Sequence, residues 1–142
     1  MSASPTPSRR LRRTWTIVAE KTEAMVDLGI SNSRMKDFTD VAMAARRVAF
    51  DGDTLVAALR ATFRRRGTPL PELEIVALSD RFVQDANAQA NWKAFATRNR
   101  PRDSESLAQV VSELRRFLRP PLQQARTGEP FGRNWSPGRP WT

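Results

Sequence analysis

What most constrains this chain is the period of its apolar residues. Leu107, Val110, Val111, Leu114, Phe117 and Leu118 recur at spacings of three and four, the repeat of one helix face. Nowhere does a two-residue alternation run long enough to build a sizeable sheet. The expectation is an all-α fold of about five helices, with an extended tail rich in Pro, Gly and Trp.

The same period divides the rest of the chain. Ile17, Val18, Ala24, Met25 and Leu28 mark a first helix from Thr16, ended by Gly29. Met35, Phe38, Val41, Ala42, Ala45 and Val48 mark a second, with Ser33 as its expected N-cap. A third starts at the Asp51-Gly52-Asp53 break, with Asp53 as cap, and runs through Leu55, Leu59 and Phe63. Arg64, Arg65 and Arg66 suit its negative carboxyl end, and Gly67 suits a left-handed cap. Leu73 to Leu78 reads as a short extended segment, and Ser79 to Phe82 as a short turn of helix. A fourth helix is expected from about Asp85 to Thr97. The fifth carries the opening pattern, capped by Asp103 or Ser104 and stopped by Pro120-Pro121. As domains, this gives a disordered basic arm over 1–13, a helical body over 14–125 and an extended tail over 126–142.

Composition excludes several chemistries. The chain has no cysteine and no histidine, so it offers no thiol nucleophile, no Cys/His zinc site and no Ser-His triad. Absence of disulfides fits a cytoplasmic protein, and no apolar run reaches the roughly 18 residues of a membrane span. Net charge is +9, and all but three of the 24 basic residues are arginine. Arginine forks onto phosphate better than lysine does. The charge therefore reads either as a solvated basic surface or as the footprint of an anionic partner, with nucleic acid the first candidate.

Two segments carry candidate chemistry. Lys21 lies among apolar positions of the first helix, so its side chain either snorkels to solvent or faces a polar cleft. Asp37 and Asp40 lie three apart on one helix face, with Lys36 four residues before Asp40. Two carboxylates are too few for a hard cation that wants about six oxygens, and ion pairing along the helix explains them equally well. Asp51-Gly52-Asp53 sits between helices, where a turn and a cap are expected in place of a metal site. Trp92 and Phe95 read as core. Trp135 and Trp141 read as anchors of the tail, with base stacking the competing role.

These residues also stand in a familiar order. Val18-Ala19-Glu20-Lys21, Glu23-Ala24-Met25-Val26, Leu28-Gly29-Ile30 and Asn32-Ser33-Arg34-Met35-Lys36-Asp37-Phe38 with Asp40 resemble the second half of AbiEii-type nucleotidyltransferase toxins. The likeness continues through Phe50-Asp51-Gly52, Thr62-Phe63, Arg65-Arg66-Gly67-Thr68-Pro69-Leu70-Pro71 and Trp135-Ser136-Pro137-Gly138-Arg139-Pro140-Trp141. The resemblance implies a toxin–antitoxin and phage-defence component that transfers a nucleotide from a nucleoside triphosphate, with Mg2+, to an acceptor such as tRNA. It implies catalytic roles for Lys21 and for Asp40 or Asp37, with Arg34 and Lys36 beside them as substrate-binding candidates. A cognate antitoxin is the implied partner.

The chain departs from that pattern in two respects. The family's metals are held by a Gly-Ser motif and an Asp-x-Asp that precede this region. This chain has no Gly-Ser pair, and its only Asp-x-Asp is the turn at Asp51 to Asp53. Thr22 and Thr39 also stand where an apolar and an aromatic residue are expected. The expectation is a carboxyl-terminal part that is inactive alone and needs a separate N-terminal catalytic half. The alternative is a non-catalytic basic helical module that binds nucleic acid or a partner antitoxin.

Overall fold

Helices supply nearly all of the architecture in the computed structural model, which describes residues 9–72, 74–99, 105–137 and 139–142. In chain order they are α1 (Arg9–Leu28), α2 (Met35–Arg47), α3 (Gly52–Arg66), α4 (Asp80–Gln84), α5 (Ala86–Asn99) and α6 (Leu107–Thr127). Two short 3-10 turns, Gly29–Ser31 and Val76–Leu78, and one two-stranded ladder complete the set. Strand β1 (Phe50–Asp51) pairs antiparallel with β2 (Asn134–Trp135), Phe50 opposite Trp135. The all-α expectation holds, with α4 as a sixth, five-residue helix capped by the Ser79 side chain.

The buried residues form one cluster. Phe38, Phe50, Phe63, Phe82, Phe117, Leu55, Leu59 and Leu114 are fully enclosed. α1 packs mainly on α3, and α6 lies against both α2 and α3. The opening pattern is the seam of this core: Leu107, Val110, Val111, Leu114, Phe117 and Leu118 are all buried. Trp92 is buried with its indole N–H donated to the Glu105 carbonyl at 3.0 Å, as its helical spacing implies.

Several boundaries differ from expectation, each for a local reason. α1 begins at Arg9, so Arg9 to Arg13 belong to a helix, while residues 1–8 lie outside the described residues. Arginine is a good helix former, and exposed first turns leave no apolar period to read. Ser33 does not cap α2; the Asn32 side chain accepts from the Arg34 N–H at 2.8 Å and sets the turn into it. The cap of α3 is Asp51, which accepts from Thr54. Asp53 instead accepts from the Phe131 N–H at 2.7 Å and holds the tail. The segment expected to be extended closes into the 3-10 turn at Val76–Leu78, with Leu73 outside the described residues. The cap of α6 is Ser106, in a capping box with Gln109, and Asp103 and Ser104 lie outside the described residues. Gly67 takes the left-handed cap conformation at φ 68° as anticipated.

The largest difference is that α6 does not stop at Pro120-Pro121 but runs on to Thr127. A proline at position 121 has no N–H for the carbonyl of Phe117, four residues earlier. That carbonyl accepts instead from the indole N–H of Trp141 at 2.9 Å. Trp141 also stacks on the Phe117 ring at 5.9 Å between centroids. Trp135 lies against the same ring and donates its own N–H to the Ala45 carbonyl at 2.7 Å. Both tail tryptophans are thus anchors, and the tail starts at Gly128, after the helix ends.

Candidate functional site

The turn over residues 29–34 lays α2 beside α1, and this brings Lys21 to the first turns of α2. Lys21 Nζ donates to Asp37 Oδ1 at 2.8 Å and lies 3.0 Å from Asp40 Oδ2. Lys21 therefore does not snorkel to open solvent: two carboxylates of α2 hold its ammonium. The helical spacing of Asp37 and Asp40 is what lets one ammonium reach both. Lys36 closes on Asp40 at 2.8 Å, and Arg34 approaches Asp37 at 3.3 Å. All five residues singled out in the sequence therefore meet in one cluster.

Burial is graded across it. Side-chain exposure is 10% for Asp37, 24% for Lys21 and 33% for Asp40, whereas Arg34 and Lys36 stand open at 60% and 76%. Lys21 and Asp37 thus form the enclosed part of the cluster, and Arg34 and Lys36 pair with the carboxylates from its exposed rim. Burial alone would pull the Lys21 pKa down, but hydrogen bonds and charge from Asp37 and Asp40 outweigh it and hold the ammonium above its ordinary value. Burial would likewise push the Asp40 carboxyl up, and the hydrogen bonds and charges of Lys36 and Lys21 reverse this and hold it below the usual range. Lys21 therefore stays charged at neutral pH. The amino end of α2 favours the Asp37 carboxylate through the helix dipole.

Two carboxylates beside this cluster, Glu20 and Glu23, stand in the family-like motifs, where the sequence alone gives them no role of their own. Glu20 pairs with Arg65 at 3.3 Å, and buried Glu23 accepts from the Thr68 hydroxyl at 2.7 Å. They are three apart on α1 and pin the end of α3 next to Lys21. An acidic residue buried among apolar neighbours is the signal that Glu23 carried. Farther off, Arg46 is held by Glu105 and Glu113 together, 2.8 Å from Nε to Glu113 Oε2, which ties α2 to α6.

The profile of the family described as "Nucleotidyl transferase AbiEii toxin, Type IV TA system" matches residues 15–123, from the start of the buried part of α1 to the second half of α6. The chain belongs to this family. AbiEii membership makes it kin to toxin-type nucleotidyltransferases of toxin–antitoxin systems. Comparison with curated proteins and with solved structures gives no match. No helix among the described residues is long and apolar enough to cross a membrane.

The AbiEii cluster does not suit a divalent cation. Asp37 and Asp40 are each already shared between two cationic side chains. Among the described residues, no three acidic, histidine or cysteine side chains converge into a metal-holding group. Asp51 and Asp53 are occupied by the start of α3 and by the tail. With three cations against two carboxylates, the Lys21 cluster suits a polyanion better.

Proposed function

We propose that this chain is the helical, substrate-facing part of an AbiEii nucleotidyltransferase that moves a nucleotide from a nucleoside triphosphate to an RNA acceptor such as a tRNA. The observation that carries this reading is Lys21 bridging Asp37 and Asp40 from a neighbouring helix, in the segments where family resemblance expects catalytic residues. Lys21, with Lys36 and Arg34 outside it, neutralises charge on the triphosphate. Charge that develops on a phosphoryl oxygen in the transition state meets a fixed ammonium, which costs no reorganisation. Asp37 holds Lys21 in place, and Asp40 is positioned to orient the attacking hydroxyl.

The divalent metal supplies Lewis-acid activation of the phosphate when bound. We place its ligands on a separate N-terminal half that carries the Gly-Ser and Asp-x-Asp motifs, so this chain by itself does not transfer nucleotides. A cognate antitoxin is the proposed regulatory partner. The second reading, a non-catalytic module that binds nucleic acid or antitoxin, draws support from the saturation of both carboxylates by cations. Incubation of the chain with radiolabelled nucleoside triphosphates, Mg2+ and total tRNA tests the division of labour. No label should enter RNA. Incorporation that disappears in Lys21→Ala would refute the need for a second half. Binding of a nucleoside triphosphate, followed by calorimetry, should weaken in Lys21→Ala and change little in Arg115→Ala; equal losses would reduce Lys21 to one charge among many.

A further inference from the structure

A cavity of about 410 Å³ opens where the ends of α3 and α6 meet, lined by Arg60, Arg64, Arg126, Phe63 and Thr68 among others. None of its lining residues is acidic. The other arginine-bearing hollows differ in this respect. The one at Arg115 and Arg119 contains Glu74 and Asp80, and the shallow one at Arg116 contains Glu105 and Glu113. Their cations already have carboxylates at hand.

Arg60 is the fixed member of the set. Its Nε donates to the Ala125 carbonyl at 3.1 Å, which sets the plane of the guanidinium. Its Nη2 is shielded from solvent and has no hydrogen-bond partner among the described residues. The guanidinium thus sets a fixed positive charge on the cavity wall, with no acidic residue among the lining. Arg64 and Arg126 are exposed beside it; Arg126 donates to the Glu72 carbonyl at 3.4 Å and lies 3.8 Å from the Glu72 carboxylate. Attraction of arginine to a helix carboxyl end accounts for the Arg64 to Arg66 run. It does not account for the unpartnered nitrogen of Arg60, which lies more than a turn earlier.

The cavity is also joined to the Lys21 cluster. Thr68 on its wall is held by Glu23, and neighbouring Arg65 is held by Glu20, so α1 places Lys21 between contacts to the end of α3. We propose that this arginine cavity is a second phosphate site, which grips a backbone phosphate of the RNA acceptor while its reacting end lies at Lys21. This rests on the RNA-acceptor reading given above. The chemistry recognised is a phosphate ester, and its source is the RNA backbone, as distinct from the triphosphate tail.

The test is fluorescence anisotropy of the full chain with a labelled tRNA transcript across a KCl series, beside calorimetry with ATP. Arg64→Gln combined with Arg126→Gln removes two exposed cations and should leave thermal melting unchanged. RNA affinity should fall at least tenfold, and the salt slope should drop by about 1–2, given roughly 0.7–0.9 per phosphate contact. ATP binding should stay within twofold of the parent. The charge-matched control, Arg81→Gln with Arg98→Gln on other surfaces, should cost less than threefold in RNA affinity. Equal losses in the two pairs would mean diffuse attraction and overturn the proposal. Loss of ATP binding with RNA binding intact would make this a triphosphate site and overturn it as well. A parent chain that binds no tRNA also overturns it, while the ATP arm with Lys21→Ala still judges the Lys21 reading separately.

Discussion

Replacement of Trp141 by phenylalanine tests whether the indole stands in for an amide that a proline cannot supply. Phenylalanine keeps a ring to stack on Phe117 but has no N–H for its carbonyl, now reached at 2.9 Å. Phe117 is fully enclosed, so that oxygen has no ready access to water. A buried acceptor left without its partner costs about 1–3 kcal/mol, and the smaller ring adds about 1 kcal/mol of lost burial. Trp141→Phe should therefore destabilise by about 2–4 kcal/mol. The decisive comparison places the same change on Pro121→Ala, which restores an N–H directed at the Phe117 carbonyl. There Trp141→Phe should cost about 1–2 kcal/mol less, a coupling large enough to measure. Urea unfolding followed by far-ultraviolet circular dichroism gives the four stabilities without relying on tryptophan emission. At a slope of about 2 kcal/mol per molar, the coupling shifts the midpoint by about 0.5–1 M. Equal costs of Trp141→Phe in both backgrounds would show that the indole does not replace the missing amide.

Leu114→Ala, on the fully buried seam of α6, should cost about 2–5 kcal/mol in the same assay. Gly52→Ala should loosen the tail, because a Cβ there would collide with the Arg133 carbonyl and come within 2.6 Å of the Phe131 ring; increased proteolysis after residue 127 is the readout. Stability should also follow pH on two limbs. Asp40, with its pKa held down, stabilises above the ordinary carboxylate range and loses that contribution as pH falls through its folded value. Asp40→Asn should flatten the acid limb. Lys21, with its pKa held up, contributes fully below the ordinary lysine value and loses this as pH rises through its folded one. Lys21→Met should flatten the alkaline limb and leave the acid limb sloping through the carboxylates that remain.

Local periodicity made most of this fold legible. A helix announces its buried face through residues three and four apart, so the seam from Leu107 to Leu118 and the stripe of α2 could be read directly. Lys21, Asp37 and Asp40 were legible for the same reason, because a short turn between adjacent helices leaves little choice about which faces meet. The errors arose where a partner far along the chain overrode the local signal. Pro120-Pro121 reads as a stop unless one knows that Trp141 returns to the helix, 24 positions after Phe117. Asp53 looked like a cap because nothing local reveals that the Phe131 amide needs it. Arg46 with Glu105 and Glu113, and Glu23 with Thr68, join residues dozens of positions apart, and no period encodes such pairs.

The borrowed donor on Phe117 also bears on the order in which the chain acquires its structure. Up to that residue α6 can form from local bonds alone, and nucleation is the only barrier it faces. Beyond the two prolines, its final turns depend on closure of a loop that must bring Trp141 back across the helix. Loop closure comes late because its entropy is lost before any contact is gained. The carboxyl end of α6, β2 and the strand at Phe50 should therefore consolidate as one cooperative unit, after the body formed by α1, α2 and α3. In the native ensemble that unit should open together, and the amides of Leu122 to Thr127 should exchange in step with Trp135. The arginine cavity borders that unit through Ala125 and Arg126. On the proposed second phosphate site, a phosphate bound there would hold this late-forming unit closed and slow its opening.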